Sequence, residues 1–143
     1  MADKVEKYLS VRVGSQWHGI EVDKVIEVLH MVAFSELPTR RNDILGLITV
    51  RDEVMPLIDL RLHFGMKDAP LKLDSPLIAV REATGSMALI CDDTDRVEEI
   101  RASQMTKVSE SQYGAYVRGV AKLSGRLLLL LDTARISAEI QLS

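Results

Sequence analysis

The chain has a single cysteine, one tryptophan, two phenylalanines and three tyrosines among 143 residues. One thiol, Cys91, cannot close an internal disulfide or build a zinc site with cysteine spacing. With aromatics at 4%, the core has to be filled by Leu, Ile, Val and Met. No charge of one sign dominates: 18 Lys and Arg face 21 Asp and Glu, a net charge of −3. A nucleic-acid partner would want a basic footprint, so none is expected. Long apolar runs are missing as well. Leu127 to Leu131 is far too short to span a bilayer. The opening Met1 to Lys7 is charged, unlike a signal peptide. The expectation is a cytoplasmic protein without direct membrane insertion.

The composition that remains, 47% hydrophobic and 27% charged, is that of a globular chain. Its length fits one compact domain or two small lobes sharing a core. Short apolar runs separated by turn signals dominate. Tyr8 to Val13 alternates as a half-buried strand, Gly14-Ser15-Gln16 turns, and Trp17 to Ile20 returns. Asp23 to His30 predicts a short helix, with Asp23 as N-cap and Val25, Val28 and Leu29 on one face. Ile44 to Val50 and Val54 to Ile58 predict paired strands around a three-residue turn, Arg51-Asp52-Glu53. Pro56 lacks a ladder donor and belongs at an edge or bulge. Asp59 to Gly65 predicts one helical turn. Beyond a polar connector, Leu77 to Val80, Met87 to Cys91, Val117 to Leu123 and Leu127 to Leu131 read as strands. A terminal helix starts at Asp132.

The two halves repeat. Gly46 and Gly119 stand 73 residues apart, as do Asp59 and Asp132. The upstream hairpins correspond at offsets of 69 for Val11 and Val80 and 70 for Ile20 and Ile90. A duplication of hairpin-rich units with few helices predicts two small twisted β-barrels packed on each other. The approximate lobes are 8–66 and 76–136, joined by a connector at 67–75 and followed by a tail at 137–143, with strand exchange between lobes left open.

The repeated aspartates invite a test. An apolar strand ending in Asp, present twice, resembles the lobes of an aspartic protease, whose two carboxylates share a proton. That chemistry wants Asp-Thr-Gly or Asp-Ser-Gly, and here Leu60-Arg61 and Thr133-Ala134 follow. Helix capping is the favoured role for both. His18, His30 and His63 show no metal-ligand spacing, so no metal is expected. Cys91 reads as a small buried hydrophobe. No phosphate-binding or dinucleotide-binding glycine pattern and no nucleophile with an activating base is found, so no catalytic residue or cofactor is expected. What is left is surface: Arg51 at a hairpin tip, and Met31, Phe34 and Leu37 in a weakly periodic segment, are candidate partner contacts.

The stretch Ile44 to Arg61, read as I-L-G-L-I-T-V-R-D-E-V-M-P-L-I-D-L-R, resembles the G-V-x-N-L-R-G-x-V-I-P-V-I-D-L-R signature of CheW-like domains. Gly19 to Val28 is similar to that family's A-I-x-I-x-x-V-x-E-V segment. Gly119-Val120-Ala121 and Leu129 to Asp132 are similar to its second hairpin. The likeness spans about residues 8 to 136 and implies one CheW-like domain over 1–143, made of two intertwined SH3-like five-stranded β-barrel lobes with short helices. It implies a non-enzymatic adaptor joining the regulatory domain of a CheA-type histidine kinase to the cytoplasmic tip of a methyl-accepting chemoreceptor, at membrane receptor arrays. Arg51, Asp52, Val25 and Glu27 then match receptor-coupling positions. Met31, Phe34, Leu37, Pro38 and Leu45 fall where the first lobe meets the kinase. Gly46, Gly119, Asp59 and Asp132 are structural. Two departures stand out: Thr49 replaces the family's Asn, and Asp52 replaces the Gly after the turn Arg, where a left-handed backbone is easiest for glycine. With no receiver or kinase motif, a lone coupling module is expected.

Overall fold

A computed structural model describes residues 3–37, 41–66, 74–108 and 115–141. Twelve strands are present among them: β1 (Val5–Val13), β2 (Gln16–Glu21), β3 (Val25–His30), β4 (Ser35–Glu36), β5 (Ile44–Val50), β6 (Glu53–Asp59), β7 (Pro76–Val80), β8 (Met87–Ile90), β9 (Asp93–Arg101), β10 (Met105–Lys107), β11 (Val117–Leu123) and β12 (Arg126–Leu131). Helix α1 (Leu60–His63) follows β6 and helix α2 (Thr133–Gln141) follows β12.

The strands form two sheets of six, in the orders β10-β11-β12-β2-β1-β9 and β3-β7-β8-β6-β5-β4. The fold is mainly β and SH3-like, as expected, but each lobe has six strands instead of five. Among the described residues neither sheet closes into a barrel. The first hairpin of each half lies in the sheet of the other half. Thus β2 runs parallel to β12, with Leu130 opposite Gly19, and β8 runs parallel to β6, with Leu57 opposite Ala88. Strands β7 and β8 are buried along their whole length, which is why their sequences are continuous apolar runs and not alternating ones.

The duplication extends to defects in the ladders. The β5–β6 pairing slips between Ile44 and Gly46, and the β11–β12 pairing slips at the matching Val117 and Gly119. The upstream hairpins follow a single offset of 69, because Leu9 faces Ile20 and Ile78 faces Leu89. Ile20 therefore corresponds to Leu89, not to Ile90. Local apolar spacing is satisfied by either neighbour, and only the cross-strand register decides.

Three other expectations change. The segment 23–30 is not a helix: a 3₁₀ turn at Val22–Lys24 leads into strand β3, which pairs with β7. Its β-branched Val25, Ile26 and Val28 favour the extended form, and pairing outweighs the weak helical periodicity. His30 accordingly ends a strand. Pro56 is not on an edge strand, since β6 lies between β5 and β8. The ladder to β8 begins only at Leu57, so Pro56 has a strand on one side only. Residues 137–141, expected as tail, are the second half of α2, where Ser137 and Ile140 are buried.

One apolar cluster is shared by the sheets and includes Val11, Ile20, Ile58, Ile78, Leu89, Leu131 and Ile136. Each sheet keeps a second cluster of its own, around Met55, Leu57 and Leu77 in one and around Tyr8, Ile100 and Leu128 in the other. The shared core fixes the lobes against each other and so sets the positions of the two hairpin tips.

Candidate functional site

The β5–β6 tip is a two-residue turn, Arg51-Asp52, because Glu53 already pairs with Val50. The three-residue turn expected there is one residue too long. Both turn residues are left-handed, Arg51 at φ 48° and Asp52 at φ 65°. This is the pattern of a type I′ turn, whose twist matches that of the strands it joins. An L-residue in this region costs about 1–2 kcal/mol, less for Asp than for most. Asp52→Gly is therefore expected to raise stability by about 0.5–1 kcal/mol, part of the relief being offset by the greater entropy of glycine in the unfolded chain. A urea titration monitored by circular dichroism checks this.

The tip does not project freely. Arg51 Nε donates to Glu27 Oε1 at 2.8 Å, and Arg81 Nη2 lies 3.6 Å from Glu53 Oε1. Glu27 is on β3, the far edge of the same sheet, so the sheet curls until its sixth-strand hairpin meets its first edge. Arg51 keeps 65% of its side chain exposed. Asp52 is exposed and has no ion-pair partner among the described residues. Val28 and Val54 are large exposed apolar side chains on β3 and β6. Val25, in contrast, packs partly against the shared core. The structure thus brings Arg51, Glu27 and Asp52 together at one tip, while Val25 packs against the shared core. Arg81 was missed by the sequence reading, since nothing local marks a contact between the residue after β7 and the distant Glu53.

A second surface lies on the outer part of the same sheet. A cleft of about 730 Å³ is lined by Val32, Phe34, Leu47, Thr49 and Val54 among others. Met31, Phe34 and Leu45 pack partly against the neighbouring core, and Leu37 is exposed. Pro38 lies outside the described residues. The two-residue strand β4 forms one wall, and it can approach β5 only because residue 46 is glycine. A Cβ there would collide with the Ser35 carbonyl oxygen and lie 2.9 Å from Phe34 Cδ2. At Gly119 the nearest atom to such a Cβ, the Thr106 carbonyl oxygen, is 3.3 Å away.

Both repeated aspartates are engaged at helix starts. Asp59 Oδ1 accepts from the Arg61 backbone N–H at 3.0 Å, and the buried Arg61 guanidinium forks onto both Asp59 oxygens at 3.1 and 2.9 Å. Asp132 Oδ1 accepts from the Arg135 N–H at the start of α2. Carboxylates committed in this way do not make an acid–base dyad, and nothing favours the protease reading. Cys91 is buried in the shared core, and burial pushes its thiol up to about 12, far from a nucleophile's range. No cluster of three His, Cys, Asp or Glu suited to a metal is found among the described residues.

The side chains of His18 and His63 are buried, whereas His30 is exposed at the end of β3. His18 on β2 is 5% exposed, and burial pushes its imidazole down to about 4. His63 on α1 sets Nδ1 2.6 Å from Asp43 Oδ2, while Arg41 forks onto the same carboxylate at 3.0 and 2.7 Å. Burial pushes the Asp43 carboxyl up, but the hydrogen bonds from Arg41 and His63 outweigh it and hold it low. Arg41 also reaches Glu139 on α2, which accepts from the Tyr116 hydroxyl at 2.6 Å. This polar clasp joins the two halves.

His18 gives a pH signature. Unfolded, it takes a proton near pH 6.5; folded, only near 4. Below pH 6.5 the unfolded chain therefore binds more protons, and stability falls until about pH 4, by up to about 3 kcal/mol. Above pH 6.5 the residue contributes no slope. Comparing urea unfolding of wild type and His18→Gln from pH 7.5 to 4.5 should show a flatter profile in the variant.

The model of the CheW-like domain matches residues 7–141. The chain belongs to the CheW-like domain family. Chemotaxis protein CheW of Thermotoga maritima is 26% identical over 144 residues, covering 98% of this chain and 94% of that protein. Chemotaxis protein CheW of Helicobacter pylori is 24% identical over 136 residues, covering 94% of this chain and 82% of that one. The crystal structure of the scaffolding protein TtCheW from Thermoanaerobacter tengcongensis superposes with a TM-score of 0.83, at 24% identity and 90% coverage of each chain. At that identity the structure speaks for a shared fold. No described helix of this CheW-like chain is long and apolar enough to cross a membrane.

Proposed function

We propose that this chain is a non-enzymatic adaptor that couples a methyl-accepting chemoreceptor to a CheA-type histidine kinase, in the cytoplasm beneath membrane receptor arrays. Membership of the CheW-like family supports this reading, as do relatives named chemotaxis protein CheW. The observation that carries it is the exposed Arg51–Glu27 pair at the hairpin tip, with the cleft beside β4 and β5 reaching its flank at Thr49 and Val54. An adaptor needs two surfaces that can be filled together, and the Arg51 end and the Phe34 end of this face offer two that meet at Val54.

In this reading Arg51, Glu27 and Asp52, with Val25, meet the receptor tip. Met31, Phe34, Leu37 and Leu45, with Pro38, meet the kinase regulatory domain. Leu37→Glu puts a charge on an exposed apolar side chain and should weaken kinase-domain binding at least tenfold, the scale of an interface anchor. Receptor binding should stay intact. Size-exclusion co-elution of the purified chain with each cognate domain in turn is the test. Loss of both partners in this variant, or of neither, would contradict the division of surfaces.

A further inference from the structure

Charge at the Arg51 tip does not balance. Each guanidinium there already has a carboxylate: Arg51 Nε donates to Glu27 at 2.8 Å, and Arg81 Nη2 stands 3.6 Å from Glu53. Asp52 is exposed, and no cation among the described residues pairs with it. Its neighbour Arg51 reaches across to β3 instead. One negative charge is left over in the two-residue turn.

The turn explains the backbone of Asp52 but not its charge. At φ 65° the residue must tolerate the left-handed region, and asparagine does so as readily as aspartate. An amide would also spare the tip the repulsion between Asp52 and the carboxylate of Glu53, which follows it in the chain. The fold therefore gains nothing from a carboxylate here. The surroundings are those of a contact. Arg51 spends only Nε on Glu27, so its terminal amino groups are without a hydrogen bond among the described residues. Val54, two residues past Asp52, is 63% exposed. A partner that covers this tip strips water from it, and a carboxylate that loses water without an opposite charge is costly. The partner face has to bring a cation to Asp52, beside an acceptor for the free end of Arg51.

We propose, resting on the adaptor reading, that Asp52 selects the receptor: the receptor face that docks on this tip carries a Lys or Arg side chain set against the Asp52 carboxylate. Glycine, which the signature this stretch resembles has at this position, makes no such demand. Aspartate discriminates against receptors that lack the cation. The probe is the signalling domain of the cognate receptor, titrated by calorimetry at low and moderate salt with wild type, Asp52→Asn and Asp52→Lys. Asparagine keeps the turn and removes only the charge, so melting curves of wild type and Asp52→Asn should agree within about 2 °C. Binding should weaken about three- to tenfold in Asp52→Asn, with a flatter salt dependence, and by more than about tenfold in Asp52→Lys. Each Lys and Arg at the tip of the signalling domain is then changed to Glu, one at a time. One of these reversals should bind wild type poorly and regain affinity with Asp52→Lys, the coupling expected of a direct pair. Variants that bind as wild type does, or the lack of any reversal that Asp52→Lys rescues, would overturn the proposal alone. A wild-type chain that does not bind the signalling domain would overturn the adaptor reading, and this proposal with it.

Discussion

Arg51→Glu is expected to abolish receptor binding while leaving the fold nearly as stable as wild type. The side chain is 65% exposed and its ion pair with Glu27 sits at the surface. Such pairs contribute about 0–1 kcal/mol. Reversal places a fourth carboxylate beside Glu27, Asp52 and Glu53, and the mutual repulsion should take no more than about 1 kcal/mol further in water-exposed surroundings. A partner that docks over this tip experiences the change differently. It loses the guanidinium and meets a new negative charge in a partly desolvated contact, a loss of about 2–4 kcal/mol, or roughly 30- to 1,000-fold in affinity. Binding to the receptor signalling domain, measured by calorimetry, and a melting curve on the same sample separate the two effects. A variant that unfolds would argue for a structural Arg51; one that binds normally would remove the tip from the interface.

The second large effect is on stability. Gly46→Ala should destabilise the protein by about 1–3 kcal/mol or more, the usual cost of overpacking. The obstacle is the Ser35 carbonyl oxygen, a backbone atom of β4, and backbone cannot swing aside like a side-chain end. Relief requires β4 to leave β5, which opens the cleft beside Phe34 and loses two strand pairings. At about 2–4 °C per kcal/mol for a chain of this size, a fall in melting temperature of several degrees follows. Gly119→Ala is the matched control, since its position in the second half is equivalent. There the Thr106 carbonyl oxygen lies 3.3 Å off and needs to give only slightly, so the change should stay within about 2 °C. Equal effects at the two glycines would contradict this account of the cleft. Kinase-domain binding should fall in Gly46→Ala and persist in Gly119→Ala, because only the first alters the wall that carries Phe34.

Much of this was legible in the sequence because hairpins are local. The period-2 runs, the Arg51 turn and the capping aspartates each depend on residues a few positions apart. The duplication was legible too, down to the glycines that mark matching bulges. The exchange of first hairpins was not. The halves carry the same apolar alternation, so β2 would fit either sheet, and pattern alone does not choose. Strand β3 was misread as helix because Val25, Val28 and Leu29 suit both periods, while its partner β7 lies about fifty residues away. The tip shows the same limit. Asp52 stands where the signature this stretch resembles has glycine, and it nonetheless takes the left-handed backbone a glycine would take. What Arg51 touches, Glu27 across a curled sheet, depends on curvature that no short window encodes. The ring contacts of His18 and His63 were invisible for the same reason, since they run through Phe64 and Tyr116 on elements far apart in the chain.

The central claim is that one molecule of this chain holds receptor and kinase at once through separate surfaces. Sedimentation of receptor-bearing vesicles with the kinase, across a range of chain concentrations, tests it most directly. The account predicts that kinase appears in the pellet only when the chain is present. Arg51→Glu should leave both chain and kinase in the supernatant, whereas Leu37→Glu should bring down the chain alone. Kinase that sediments equally without the chain, or that stays in solution although the chain binds each partner separately, would contradict it.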